Sequence, residues 1–507
     1  MSFNLATVLV ESRRSAPDKP LCHIADLSFS YAQVDEISGR VATSLRGLGL
    51  ERGDRVAVQL PNLPQFLFCY YAILKAGLVM VPLNPLLKAP EVAYHLADSG
   101  AKVLVTFETF ADEAVKGAAQ APGVQVFVVN LPGNDQRPEG TRHFDELYFA
   151  DDTGEIAATS ADDTAVLLYT SGTTGRPKGA ELTHFQLYMN CTVAGELFGF
   201  RDDDIGVAVV PLFHVFGLSS VLNVTVRFGG TIALVPRFEM EPVLEAIERH
   251  RCTIFVGVPT MYFSLLHTDA TAHDLSSLRV GISGGASIPG EVIRGIEEKF
   301  PGLVILEGYG LSETASTTTF NINAEQRKVG SIGKPVWGVE VRVVDDQDRP
   351  LPPGPDNVGE IVIRGHNVMK GYWNNPEATA DALRDGWLYT GDLGYADDEG
   401  YLFIVDRKKD LILRGGYNVY PREVEEVLYT HPAIAEAAVI GRPDDRLGEE
   451  VVACVAFKPS ATATPEEIID FCRERLAAYK YPREVRILDT LPTGSTGKIL
   501  KTALRAQ

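Results

Sequence analysis

Short, continuous runs of apolar residues recur along the chain and are separated by segments with helical patterns. Each run has about the length of a strand, and its apolar residues follow one another instead of alternating with polar ones. Such strands are buried on both faces, which is typical of parallel sheets covered by helices on both sides. The sequence therefore predicts an α/β fold with two such sheets. The runs lie at Val103–Phe107, Val124–Val129, Ala165–Thr170, Ile205–Val210, Thr231–Pro236, Thr253–Pro259, Leu278–Ser283 and Leu303–Gly310.

The pattern changes after about residue 323 and again near residue 405. Glycine, proline and alternating apolar residues over about 324–405 predict hairpins and a small β-barrel. Residues 410–507 have helical and strand patterns of their own, and Thr464–Glu467 offers a capping box with a proline at the first helical position. The most basic run of the chain, VDRKKDLILRGG, joins these parts. We expect a large N-terminal domain over 1–405, a hinge over 406–409 and a small, mobile α+β domain over 410–507.

Charge and cysteine usage restrict the classes of partner. The 507 residues carry a formal charge of −20, which argues against nucleic-acid binding and against anionic membrane surfaces. The six cysteines are scattered and include no CxxC pair, as in a reduced cytoplasmic protein. The membrane-like stretch Phe66–Leu83 is interrupted by Lys75, Gly77 and Pro82. It predicts a buried helix followed by a buried strand, and no integral membrane segment.

The stretch YTSGTTGRPKG at 169–179 follows one of the expected strands. Its glycines let backbone N–H groups converge on phosphate oxygens, its hydroxyls add donors, and Lys178 adds charge. A flexible polar linker is the alternative, but a lysine behind Pro177 and after a buried strand disfavours it. The stretch is no Walker A loop, because Gly179 and not serine or threonine follows the lysine. GSTGKIL fails the same test, because Ile499 follows Lys498.

LLYTSGTTGRPKG resembles the signature of the AMP-forming acyl- and aryl-CoA synthetases, the adenylate-forming superfamily. That superfamily also contains firefly luciferase and the adenylation domains of peptide synthetases. EGYGLSETAS, GEIVIRG, WLYTGD, VDRKKDLILRGGYNVYPREVEE and PTGSTGKILK follow in the order of the family's motifs. The similarity runs from about residue 30 to the C-terminus, and the motifs together are far more specific than any one alone.

The resemblance implies a two-step reaction. A carboxylate attacks the α-phosphate of ATP and releases pyrophosphate, and the thiol of coenzyme A then displaces AMP from the acyl-adenylate. ATP and coenzyme A would be co-substrates, and Mg²⁺ the cofactor. The first step transfers a phosphoryl-type group, so the site mainly positions the reactants and neutralises charge.

By the same resemblance, Thr170–Lys178 holds the β- and γ-phosphates, and Tyr309 with Ser283–Ser287 encloses the adenine. Asp392 and Arg407 would contact the ribose. The implied nucleotide-binding residues are Thr170, Ser171, Gly172, Thr173, Thr174, Gly175, Lys178, Gly284, Gly285, Ala286, Glu307, Gly308, Tyr309, Gly310, Ser312, Asp392, Arg407, Lys409 and Lys498. The implied metal ligands are Thr170 and Glu313, and the implied catalytic residues are His214, Ser312, Glu313 and Lys498.

Considered without the family, four of these residues have ordinary structural explanations. Ser312 could cap a helix, and Tyr309 could pack in the hydrophobic core. Asp392 could be a turn residue, and Lys498 could be a solvent-exposed lysine near the C-terminus. Their functional assignment therefore depends on the resemblance.

The resemblance also assigns roles in the small domain. Lys409 matches the hinge residue about which that domain turns between the two steps. Gly415 and Gly416 would line a narrow channel for the pantetheine of coenzyme A. Leu413 departs from the family pattern, because several members have lysine there, so any nucleotide contact from that side chain should be missing.

The acid is the least determined part of the prediction. The implied acyl pocket contains His214, Phe216, Val258 and Gly308. The segment Pro211–Ser220 lacks the aspartate that amino-acid-activating relatives use, and Gly308 replaces the arginine of malonate-type ligases. These departures favour an apolar, uncharged tail.

We therefore expect a medium- or long-chain fatty acid as substrate, in a monomer or homodimer. An aryl or 4-coumarate-type acid is the alternative within the same class. A luciferase-like oxidative enzyme, a carrier-loading acyl-AMP ligase and a non-catalytic nucleotide-binding module are alternatives of other classes.

Overall fold

The computed structural model of the chain describes residues 3–170, 176–408, 410–415, 417–444, 446–494 and 498–506. The helices are α1 Thr7–Ser15, α2 Tyr31–Gly47, α3 Pro64–Lys75, α4 Ala89–Ser99, α5 Ala111–Ala118, α6 His184–Leu197, α7 Val224–Phe228, α8 Met240–His250, α9 Pro259–His267, α10 Gly290–Lys299, α11 Pro376–Ala382, α12 Pro421–Tyr429, α13 Pro465–Arg473 and α14 Lys501–Arg505. Shorter helical segments are the 3₁₀ turns Glu108–Phe110, Phe144–Tyr148 and Ser312–Thr314 and the π-helix Phe216–Asn223.

The first strands of the chain belong to the two large sheets, and the last belong to the small domain. They are β1 Pro20–Ile24, β2 Leu27–Ser30, β3 Arg55–Gln59, β4 Val79–Pro82, β5 Ala101–Phe107, β6 Gln125–Val129, β7 Arg142–His143, β8 Thr164–Thr170, β9 Lys178–Thr183, β10 Ile205–Ala208, β11 Thr231–Leu234, β12 Ile254–Gly257, β13 Val280–Ser283, β14 Val304–Tyr309, β15 Thr319–Phe320, β16 Lys334–Pro335, β17 Val339–Val344, β18 Gly359–Gly365, β19 Leu383–Arg384, β20 Trp387–Ala396, β21 Leu402–Arg407, β22 Ile412–Arg414, β23 Tyr417–Val419, β24 Ile434–Asp444, β25 Gly448–Phe457 and β26 Glu484–Ile487.

Two large, mainly parallel sheets form the N-terminal α/β part. One has seven strands in the order β7-β6-β5-β3-β4-β8-β9, and the other has nine in the order β16-β15-β14-β13-β12-β10-β11-β1-β2. Each of the eight apolar runs lies in one of these sheets, as β5, β6, β8 and β10 to β14. The expectation of two parallel sheets is confirmed, because continuous apolar runs suit only strands that are covered on both faces.

The membrane-like stretch Phe66–Leu83 is divided between α3 and β4, and all of its residues are buried. Lys75 is tolerated there because its Nζ lies 2.6 Å from Oδ1 of Asp35, which supplies the opposite charge. Within the described ranges, no helix is both long enough and apolar enough to cross a membrane.

Antiparallel strands dominate the rest of the chain. β17, β18 and β20 pair in order, with β19 and β21 both hydrogen-bonded to β20, where hairpins and a small barrel were expected. In the small domain, β25 is the central strand of a five-stranded sheet and pairs with β22, β24 and β26. Helix α13 begins as the sequence predicts: Thr464 Oγ1 accepts the Glu467 N–H at 3.2 Å, and Glu467 Oε2 accepts the Thr464 N–H at 2.8 Å.

Candidate active site

The expected phosphate loop lies in a hairpin. β8 and β9 pair antiparallel, and their register sets Thr170 opposite Lys178. The residues expected to cradle phosphate between these two, Ser171, Gly172, Thr173, Thr174 and Gly175, lie outside the described residues. The hairpin therefore fixes both ends of the loop, one with a hydroxyl and the other with an ammonium group.

The 3₁₀ turn Ser312–Thr314 packs against β8 and β9. It carries both Ser312 and Glu313, so the expected metal ligand Glu313 lies on the element next to Thr170 and Lys178. The backbone of Glu313 is held by the N–H of Met369, which donates to its carbonyl oxygen at 2.8 Å. Elements far apart in the sequence thus bring the expected phosphate and metal ligands to one place.

The expected ribose site is a chain of three side chains. Tyr309 at the end of β14 donates its hydroxyl to Oδ2 of Asp392 at 2.6 Å. Nε of Arg407 lies 2.9 Å from Oδ1 of the same carboxylate, and that charge raises the pKa of the Arg407 guanidinium. A carboxylate has about four acceptor positions, so Asp392 retains capacity for ribose hydroxyls beside these two partners.

His214 of the large domain and Lys498 near the C-terminus interact electrostatically. His214 is partly buried just before the π-helix, and its Nδ1 accepts the Phe216 N–H at 3.3 Å. Burial, followed by the charge of Lys498, lowers the pKa of His214 to about 4. The imidazole is therefore neutral near pH 7.

The expected acyl pocket lies where the π-helix meets β12 and β13. A Cβ built on Gly284 would lie 3.0 Å from Cζ of Phe216, so this ring packs on glycine backbone. Gly285 has φ +80°, and a Cβ there would lie 3.6 Å from Cγ1 of Val258. Two of the expected lining residues, Phe216 and Val258, therefore pack against two glycines that were expected to enclose the adenine. Ala286 follows directly as an exposed residue of the same loop.

The space beside Gly308 is filled. Gly308 is one of the expected residues of the acyl pocket, but a Cβ there would lie 2.8 Å from Cδ2 of Phe320. Phe320 is only 2% exposed, and its ring centroid lies 4.6 Å from that of Phe198. The pairing of β14 with β15 sets Gly308 opposite Phe320. The sequence gives no sign of this, because β15 has only two residues.

Glu307 on β14 and Gly310 in the turn after this strand differ in the atoms that they can offer a nucleotide. Glu307 Oε2 accepts the Gly330 N–H at 2.9 Å, and burial raises the pKa of this carboxyl to about 7. Glu307 is only 7% exposed, so little of its side chain is accessible to a nucleotide. Gly310 admits no side chain, because a Cβ would lie 1.3 Å from the carbonyl oxygen of Ser316.

The residues expected to serve the hinge and coenzyme A are described in part. Gly415 follows β22 at φ +58°, and its N–H donates to the Leu447 carbonyl at 2.7 Å. The side chain of Leu413 is exposed on β22. Lys409 and Gly416 lie outside the described residues. The hinge and the pantetheine channel therefore stay predictions.

One residue at this site was missed by the sequence analysis. Tyr372 donates its hydroxyl to Oε1 of Glu313 at 2.8 Å. It lies in an irregular segment between β18 and α11, where a single tyrosine has no periodic pattern that distinguishes it.

Comparisons with known proteins agree with this fold and site. Residues 9–373 match the family described as AMP-binding enzyme, and residues 423–498 match its C-terminal domain. A long-chain-fatty-acid–CoA ligase of Bacillus subtilis (strain 168) is 38% identical over 527 residues, covering 99% of this chain and 94% of the relative. A feruloyl-CoA synthase of Amycolatopsis sp is 40% identical over 498 residues, covering 98% and 97%. The crystal structure of the anthranilate CoA ligase AuaEII with anthranoyl-AMP superposes with a TM-score of 0.94 at 31% identity, covering 100% of this chain and 97% of that one.

The chain belongs to the AMP-binding enzyme family, the adenylate-forming superfamily. Within that family it is an AMP-forming acid–CoA ligase, because its similarity to such ligases extends over almost the whole chain.

Proposed function

We propose that this enzyme joins an uncharged carboxylic acid with an apolar tail to coenzyme A through an acyl-adenylate. The observation that carries the proposal is the electrostatic interaction of Lys498 with His214, which is one of the expected residues of the acyl pocket. A lysine from the small domain at this point can stabilise the negative charge that develops when a carboxylate attacks phosphorus.

In the first step, the acid's carboxylate oxygen forms a bond to the α-phosphorus of ATP, and the bond to pyrophosphate breaks. Lys178 and the N–H groups of its loop neutralise the leaving pyrophosphate, and Lys498 stabilises charge at the α-phosphate. Tyr309 and Asp392 hold the nucleoside, since the Tyr309–Asp392 hydrogen bond fixes the plane of the ring next to the ribose-binding carboxylate.

The side-chain oxygen ligands expected at this site fit Mg²⁺. Thr170 and Glu313 offer a hydroxyl and a carboxylate, and Mg²⁺ prefers oxygen ligands, often one or two carboxylates together with substrate phosphates. No group of three or more His, Cys, Asp and Glu side chains that could hold a metal occurs in the described part of the chain. A metal here would therefore be shared with the triphosphate, whose charge it would help to neutralise.

In the second step, the thiolate of coenzyme A attacks the acyl carbonyl carbon, and AMP leaves with the oxygen that joined the two. Lys498 is not needed there, and we propose that the small domain turns about Lys409 so that Gly415 and Gly416 approach the pantetheine.

For the acid itself, we propose a fatty acid, with the medium-chain length favoured over the long-chain length. The lining by Phe216, Val258 and the backbone of Gly284 and Gly285 supports an apolar tail. The Phe320 ring beside Gly308 supports the shorter length, because it fills the space next to this expected residue of the pocket. It also favours an aryl acid as the second candidate, which the 40% identical feruloyl-CoA synthase supports.

A panel of acids tests this proposal. The purified enzyme is given ATP, Mg²⁺ and coenzyme A with acetate, octanoate, palmitate, 4-coumarate or benzoate, and the thioesters are measured by mass spectrometry. We expect octanoyl-CoA to form with the highest kcat/KM. A preference for 4-coumarate or benzoate would select the aryl alternative. Pyrophosphate release without free acyl-CoA would indicate a carrier-loading ligase, and light or oxidised product an oxidative enzyme.

Phe320→Ala tests whether this ring limits the chain length. Each additional buried methylene contributes about 0.8 kcal/mol, which is about fourfold in kcat/KM. We expect acids longer than the wild-type optimum to gain by about this factor per carbon until the new space is filled, with shorter acids unchanged. Removing a buried phenylalanine costs about 3–5 kcal/mol of stability, so unfolding is measured alongside. Gly308→Ala should have the opposite effect, and an unaltered chain-length profile in folded Phe320→Ala would contradict the limit.

A further inference from the structure

Tyr372 contacts two of the groups expected to handle the triphosphate. Its hydroxyl donates to Oε1 of Glu313 at 2.8 Å, and Nζ of Lys178 lies 5.2 Å from its ring centroid. The first contact is a charge-assisted hydrogen bond, and the second is a cation–π distance. One side chain therefore links the expected metal ligand to the expected phosphate-binding lysine.

The backbone around Tyr372 is held on both sides of this link. The N–H of Trp373 donates to the carbonyl of Gly179 at 2.8 Å, and the N–H of Glu181 donates to the carbonyl of Gly371 at 3.0 Å. These bonds attach the segment to β9, the strand that begins with Lys178. Three residues earlier, Met369 donates to the carbonyl of Glu313. The segment is thus fixed to β9 and to the 3₁₀ turn at once.

The direction of this hydrogen bond follows from the chemistry of the two groups. An ionised carboxylate can only accept, so the hydroxyl of Tyr372 is the donor to Glu313.

We propose that Tyr372 is a positioning residue of the ligase, which orients the Glu313 carboxylate toward Mg²⁺ and holds Lys178 at the triphosphate. The inference rests on the proposed function. With Oε1 taken by the phenol, Oε2 is the oxygen directed to the metal. Partners that orient a ligand in this way typically change metal affinity or activity by about 10- to 100-fold when they are removed.

Two substitutions separate the two contacts. Tyr372→Phe removes the hydroxyl and keeps the ring beside Lys178, whereas Tyr372→Leu removes both. Tyr429→Phe is the matched control, because it also removes the hydrogen bond of a half-buried tyrosine hydroxyl, which donates to the Ala437 carbonyl at 3.3 Å in the small domain. A purely structural role would lower the unfolding temperature in all three without changing metal dependence.

The first readout is metal binding without turnover. Mn²⁺ is titrated into each variant with α,β-methylene-ATP, which cannot transfer its adenylyl group to an acid, and free Mn²⁺ is followed by electron paramagnetic resonance. We expect Tyr372→Phe to bind Mn²⁺ about 10-fold more weakly, and Tyr429→Phe to match wild type. Wild-type Mn²⁺ affinity in folded Tyr372→Phe would overturn the proposal.

The second readout is each half-reaction alone. In Tyr372→Phe, we expect acid-dependent pyrophosphate release to need about 10-fold more Mg²⁺, while conversion of supplied acyl-adenylate to acyl-CoA is unchanged. Tyr372→Leu should in addition raise the KM for ATP. If wild type releases no pyrophosphate with any acid, the proposed function fails. If wild type is active and Tyr372→Phe keeps its Mg²⁺ dependence, only the role of Tyr372 fails.

Discussion

Lys498→Ala should lower adenylation by about two to three orders of magnitude, the usual effect of removing one group that stabilises transition-state charge. Conversion of supplied acyl-adenylate to acyl-CoA should stay close to wild type. The physical reason is that phosphorus is attacked only in the first step, so only that step develops charge at the α-phosphate. The measurement is pyrophosphate release in the absence of coenzyme A, beside thioester formation from synthetic acyl-adenylate.

We propose a role for Lys498 in this step and not in the other. Its charge is one cause of the low pKa of His214, an expected residue of the acyl pocket. Lys102→Ala is the control, because it removes a half-exposed lysine of the large domain that pairs with Asp54. Equal losses in both half-reactions of folded Lys498→Ala would show that the lysine has a different role.

Lys409→Pro should abolish one half-reaction and leave the other largely intact. Proline fixes φ near −65° and removes an N–H, so it traps the chain in one arrangement at this point. On one side of position 409, Arg407 is paired with Asp392, and on the other side Asp410 is paired with Arg505 of α14 at 2.8 Å. A change of domain arrangement should therefore concentrate its rotation at Lys409.

Both half-reactions are measured separately for Lys409→Pro, with Lys409→Ala as the control that keeps backbone freedom. We expect Lys409→Ala to retain both steps. Wild-type steady-state turnover in Lys409→Pro would mean that the two steps do not need different domain arrangements.

Much of the fold was predictable because its signals are local. Continuous apolar runs predicted β5, β6, β8 and β10 to β14, and the capping residues at Thr464 predicted the start of α13. Lys75 within an apolar stretch indicated a helix and a strand instead of a membrane span. These features depend on a few neighbouring residues, so one sequence is enough to detect them.

The site was predictable only where the family's motifs mark it. The electrostatic interaction between His214 and Lys498 depends on how two domains meet, and nothing in either local sequence indicates it. The filled space beside Gly308 could not be predicted either, because the ring that fills it belongs to Phe320 on a neighbouring strand. Tyr372 was missed because its importance lies in contacts to Glu313 and Lys178, which are distant along the chain.

The central claim is that an acid becomes a thioester through an acyl-adenylate, and isotopic labelling of the carboxylate tests it most directly. Octanoate carrying ¹⁸O in both carboxylate oxygens is converted with ATP, Mg²⁺ and coenzyme A, and the nucleotide products are analysed by mass spectrometry. Attack of the carboxylate on the α-phosphorus predicts AMP with one ¹⁸O and unlabelled pyrophosphate. Unlabelled AMP, or ¹⁸O in inorganic phosphate with formation of ADP, would contradict the claim.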